Sequence, residues 1–129
     1  MKNQDIYDGA LRILAERCDA GLNEDYEERA PYIIAAFCYE SSEADAAYRK
    51  SHYLPAAPSV SEVYLNLSDK FPCCERFSAA ACMYLASMLV VDEDSELSDK
   101  LFDKYSEMMS SICSKIPAIV EPISDKYGF

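Results

Sequence analysis

Between Phe77 and Val91 the chain carries 15 consecutive residues without a charge. Phe77, Ala80, Ala81, Tyr84, Leu85, Met88 and Leu89 repeat there at the three-and-four spacing of a helix face. The opposite face, Ser78, Ala79, Cys82, Ala86 and Ser87, is small and hardly polar. A helix apolar nearly all round must be covered on more than one side. A bilayer could cover it only if the run reached about 20 residues, and it does not. The rest of the chain must supply the cover. Pro72 suits a first helical position, so this central helix is predicted over 72–91.

Three further helices follow from the same periodicity. Ile6, Tyr7, Ala10, Leu11, Ile13, Leu14 and Cys18 place the first over 4–20, with Asp5 and Asp8 at its positive end and Gly21 just past it. Tyr26, Ala30, Ile33, Ile34, Phe37 and Cys38 place the second over 24–40. Pro31 interrupts that pattern, because a mid-helix proline removes a backbone hydrogen bond and clashes with the preceding turn; a break or bend around Ala30 is expected. Leu97, Leu101, Phe102, Tyr105, Met108, Met109 and Ile112 form the inner face of another helix over 95–114, started by Asp94 or Ser95 as cap. Ser42 to Lys50 can add a short helix. The fold expected is all-α, a four-helix, bundle-like single domain spanning 1–129. A long, partly extended connection joins its second and third main helices, and the tail over 115–129 is extended, since Pro117 and Pro122 forbid a regular helix there.

The 129 residues hold 23 acids, 12 bases and one histidine, a formal charge of -11. Such a surface repels phosphate, so direct nucleic-acid binding is not expected. The uncharged run is too short to span a membrane, and the first residues lack a signal-peptide pattern. The six cysteines are therefore read as free thiols in a reducing cytoplasm, mostly serving as small hydrophobes.

No residue is assigned to catalysis, to a cofactor or to a metal. Asp92, Asp94 and Glu96 imitate the start of a calcium loop, but Leu97 stands where glycine is needed and Asp103 where glutamate is needed. Cys73-Cys74 has no zinc spacing. A Cys nucleophile working with His52 is a remote alternative, and a small acidic binding module or inhibitor that mimics nucleic-acid charge is another. Arg29, at the bend with Tyr26 and Tyr32, is placed to lock the second helix to a neighbour through a carboxylate or carbonyls. Apolar residues outside any strong helical pattern mark the expected protein interface. These are Tyr48, Tyr53, Leu54, Val60, Val63 and Tyr64 in the connection and Ile116, Ile119 and Val120 in the tail.

Five stretches in combination resemble a known group. They are Asp25-Tyr26-Glu27-Glu28-Arg29-Ala30-Pro31-Tyr32-Ile33-Ile34; Leu65-x-Leu67-Ser68-Asp69 with Phe71-Pro72; Tyr84-Leu85-Ala86-Ser87-Met88-Leu89; Asp92-Glu93-Asp94; and Leu101-Phe102-x-x-Tyr105. Over roughly residues 4 to 112 the chain is similar to small all-α structural proteins of phages and prophages of Gram-positive bacteria, of the head–tail connector or adaptor type. Cys73-Cys74 and the apolar tail depart from that pattern. The resemblance implies a non-enzymatic subunit that packs against copies of itself, as a homo-oligomer, or against other virion proteins. It also implies a location in the bacterial cytoplasm or on the virion.

Overall fold

The computed structural model describes residues 1–14, 23–57 and 60–116. Among these, five helices follow one another: α1 (Asn3–Ile13), α2 (Asn23–Glu40), α3 (Ser42–Ser51), α4 (Ser78–Leu89) and α5 (Ser95–Ser114), with a short 3-10 turn at Glu75–Phe77 leading into α4. The fold is all-α. The expected stretch of the first helix beyond residue 14, and the tail from residue 117, lie outside the described residues.

The uncharged helix is central, as its composition demands. α4 packs on α1, α2 and α5, and Ala80, Ala81, Leu85, Ala86 and Leu89 are buried. They share one core with Ile6, Tyr7 and Ala10 of α1, Tyr26, Ala30, Ile34 and Phe37 of α2, and Ile112 of α5. The small residues do allow close approach. A Cβ placed on Gly9 of α1 would stand 2.6 Å from Cys82 Sγ, and the Cys82 thiol donates to the Ile6 carbonyl at 3.5 Å. On the other side the Ser98 hydroxyl of α5 donates to the buried Ser87 carbonyl at 2.8 Å, which fixes the register of α5 against α4.

The second helix is not broken. α2 runs through Pro31 without interruption, although an interior proline costs about 3 kcal/mol. Anchors on the N-terminal side of the proline offset that cost. Tyr26 donates to Glu93 at 2.7 Å, and Ala30 is fully buried. Arg29 reaches the end of α4, donating to the Leu89 carbonyl at 2.8 Å and the Met88 carbonyl at 3.4 Å. Those carbonyls have no partner within their own helix, and the last turn of α4 carries no basic residue. The lock expected of Arg29 therefore exists, through carbonyls.

The central helix starts later than Pro72 would suggest. The α-helix begins at Ser78 because groups at its expected head are bonded elsewhere. The Pro72 carbonyl accepts from Arg49 at 3.1 Å, and the Cys74 N–H donates to Asp45 at 2.8 Å, with Cys74 itself extended at φ -58°, ψ 149°. α5 keeps its expected bounds, and Asp94 caps it by accepting from the Leu97 N–H at 3.0 Å. Its inner face is narrower than expected. Phe102 is exposed, beside Tyr105 with ring centroids 5.4 Å apart, because it lies a quarter-turn round the helix from the stripe that meets α4.

The connection between α3 and α4 contains neither helix nor strand among its described residues before the 3-10 turn. Its second half is stitched to the start of α1. The Gln4 N–H donates to the Leu67 carbonyl at 2.8 Å, the Asn3 N–H to that of Asp69 at 2.9 Å, and the Phe71 N–H to that of Met1 at 3.0 Å. Two of these are orphan donors of a helix start, so the connection acts as the cap. Leu65 and Phe71 are buried beneath it. Replacing Leu85 with alanine should cost about 2–5 kcal/mol, as core truncations do; an unchanged urea midpoint would remove Leu85, and α4 with it, from the core.

Candidate functional site

Three concave regions collect most of the residues expected at an interface, and they separate those residues rather than joining them. The largest is a cleft of about 400 Å³ between α3 and the connection, with Cys38, Asp45, Arg49, Leu54, Val60 and Cys73 among its lining. A second groove, of about 320 Å³, runs along the outer side of α2 and is closed by Ser61, Glu62 and Val63. A hollow of about 150 Å³ near the end of α5 brings Tyr48 and His52 beside Ile112 and Ile116.

The cleft is framed by one ion pair. Asp45 and Arg49 stand one turn apart on α3, and the Arg49 Nε donates to Asp45 at 3.0 Å. The same guanidinium donates to the carbonyls of Pro55 and Pro72, each at 3.1 Å. Asp45, itself buried, uses its other oxygen for the Cys74 N–H. A single pair thus holds both ends of the connection to α3. At the cleft floor, a hydrogen bond between the Cys38 and Cys73 thiols, and after it burial, holds Cys38 far above the usual thiol range. Desolvation raises Cys74 too, against the opposing pull of Arg49. The cleft therefore holds Cys38 as a thiol, with Asp45 and Arg49 engaged to each other and to the backbone of the connection. His52 lies elsewhere, stacked on Tyr48 with centroids 4.1 Å apart and its Nδ1 3.0 Å from the Tyr48 carbonyl.

The nine residues expected at an interface fare differently. Tyr48 is taken up by the fold, packed edge-on against Phe77 at 5.8 Å. Val60 and Ile116 are half-buried against the core. Leu54 stands exposed at the rim of the cleft, and Val63 and Tyr64 are exposed on the α2 side. Ile119 and Val120 lie outside the described residues. Tyr53 is the most exposed, at 97%. It also has φ 57°, the left-handed conformation that glycine adopts most cheaply. It closes α3 as a Schellman turn, the Tyr53 N–H donating to Lys50 at 3.3 Å and the Leu54 N–H to Arg49 at 2.8 Å.

Sequence reasoning placed Tyr32 beside Arg29 but did not count it, or Tyr39, among the surface residues, and both are exposed on α2. Their seven-residue spacing puts them on one face, outside the buried stripe, and that was the available signal. Tyr32 meets Tyr64 edge to face with centroids 5.0 Å apart, so the α2 surface and the connection form one aromatic ridge. Asp45 and Arg49 were also missed, although their four-residue spacing is that of a helix ion pair. Among the described residues no three His, Cys, Asp or Glu side chains gather to hold a metal ion, and no helix is long and apolar enough to cross a membrane. Comparison with known protein families, with curated proteins and with solved structures finds no match.

Two outcomes follow from the cleft. Asp45→Ala should lower stability by about 3–5 kcal/mol in chemical denaturation, because it leaves the half-buried Arg49 without its counter-charge and Cys74 without its acceptor; a loss below about 1 kcal/mol would rank the pair with ordinary surface bridges. The thiols should divide by environment. In the native protein near neutral pH, alkylation should take the exposed Cys113 before the buried Cys38 and Cys73. Burial raises Cys82 to about 11, whereas in the unfolded chain it ionises from about pH 8.5. Stability from this group is complete below that pH and is lost as the pH rises through 11. A urea midpoint that falls between pH 8 and 10.5, and falls less in Cys82→Ala, is the expected result.

Proposed function

We propose that the chain is a non-enzymatic assembly protein that works through protein–protein contacts, as a component of the head–tail connector region of a phage or prophage particle. Tyr53 carries this reading. A tyrosine with 97% of its surface in solvent contributes little to the fold, yet it occupies a backbone position where its Cβ is unfavourable by about 1 kcal/mol and glycine would be relaxed. Such local cost at an exposed aromatic side chain fits a residue kept for a partner. Val63, Tyr64, Tyr32 and Tyr39 are further large apolar or aromatic side chains in solvent. Tyrosine suits such a role because it offers large contact area with a polar tip. The virion setting comes from the resemblance of residues 4 to 112 to connector-type proteins, with itself or other virion proteins as partners.

Tyr53→Gly separates folding from assembly. The variant should be more stable by about 1 kcal/mol, since the left-handed position is relieved and no packing is lost. Introduced into the phage or prophage that carries the gene, it should yield particles whose heads and tails fail to join, as seen by electron microscopy. Joined, infective particles in normal numbers would overturn the assembly role.

A further inference from the structure

We propose that the groove on the outer side of α2 receives a peptide segment of a partner protein with an apolar centre flanked by lysine or arginine; this rests on the assembly role above and names the chemistry of its partner. The groove is built for an apolar side chain. Ala35 and Ala36 leave room along the helix, Tyr39 and Val63 wall it at 68% and 77% exposure, and the Tyr32–Tyr64 edge contact, at 5.0 Å, holds one wall in place before anything binds. Preformed walls spare a partner the ordering cost that weakens many interfaces. The volume, about 320 Å³, admits two or three aliphatic side chains and no folded domain.

The charge around it has one sign. Glu40 and Glu62 are the charged residues that line the groove, and both are exposed. The chain as a whole carries -11. A second copy would bring the same net charge to the groove, which opposes self-association there, whereas cationic flanks would meet Glu40 and Glu62 and be steered in by the wider field. The apolar centre supplies affinity and the flanks select the partner.

Two synthetic peptides with the same leucine-rich centre, one with lysine flanks and one with glutamate flanks, test this on the full 15N-labelled chain. The lysine-flanked peptide should shift the amide signals of Ala35, Ala36, Glu62 and Val63, and its affinity should fall as salt is raised. Glu40→Lys combined with Glu62→Lys should weaken it about tenfold, the size of two exposed charge contacts reversed. Val63→Ser should weaken it as well; all three positions are exposed, so loss of binding would not be loss of fold, and an unchanged spectrum elsewhere confirms that. Equal binding of the glutamate-flanked peptide, shifts confined to another part of the chain, or no binding would each overturn the proposal. The assembly role stands or falls separately, on the Tyr53→Gly particles: joined particles with intact peptide binding would leave the groove and remove the virion role, and unjoined particles without peptide binding would do the reverse.

Discussion

A helix without a charged residue has no face to give to water, and in this protein that condition organises the rest. α4 needs cover on several sides, so α1, α2 and α5 each turn a stripe toward it. Its polar groups need partners that the helix lacks. Arg29 of α2 supplies donors for the carbonyls of Met88 and Leu89, and Ser98 of α5 donates to Ser87. Buried carbonyls left unpaired would each cost about 1–3 kcal/mol. The helix therefore dictates both the apolar faces and the polar seams of its neighbours.

The connection solves a second problem with the same economy of parts. A segment whose described residues before the 3-10 turn form neither helix nor strand must find partners for its backbone. Here its carbonyls at Leu67 and Asp69 cap the start of α1, while Arg49 collects those of Pro55 and Pro72. α3 is consequently less a fourth wall of the bundle than a bracket. It holds the connection on one side and leaves the tyrosines of the other side outward.

What the sequence made legible was local. The bounds of α5 and its Asp94 cap follow from a capping side chain next to an apolar stripe, and the centrality of α4 follows from composition. Arg29 was readable as a lock because its long donor arm stands beside the expected bend, between Tyr26 and Tyr32. Pro31 and Pro72 misled for one reason: local rules assign a helix break and a helix start, but long-range bonds outweigh them, those of Tyr26 and Arg29 ahead of Pro31 and those that Arg49 donates to Pro72 and Asp45 accepts from Cys74. Of the surface, Tyr53, Leu54, Val63 and Tyr64 were legible as apolar residues without a helical stripe to join. Tyr48 and Val60 looked the same in sequence, and only packing on Phe77 and the cleft distinguishes them. Tyr32 and Tyr39 were hidden inside a helix whose buried face drew the eye.

The meeting of Gly9 and Cys82 sets a rule that extends past this one chain. With 2.6 Å between the sulfur and the place a Cβ would take, the two positions share a single allotment of space. A chain of this fold that gains a methyl group at position 9 must lose an atom at position 82, turn the sulfur there to another rotamer, or let α1 and α4 move apart. Moving them apart would shift the start of α1 and with it the carbonyls of Leu67 and Asp69 that it holds. Volume at positions 9 and 82 is therefore linked through the seam between α1 and α4.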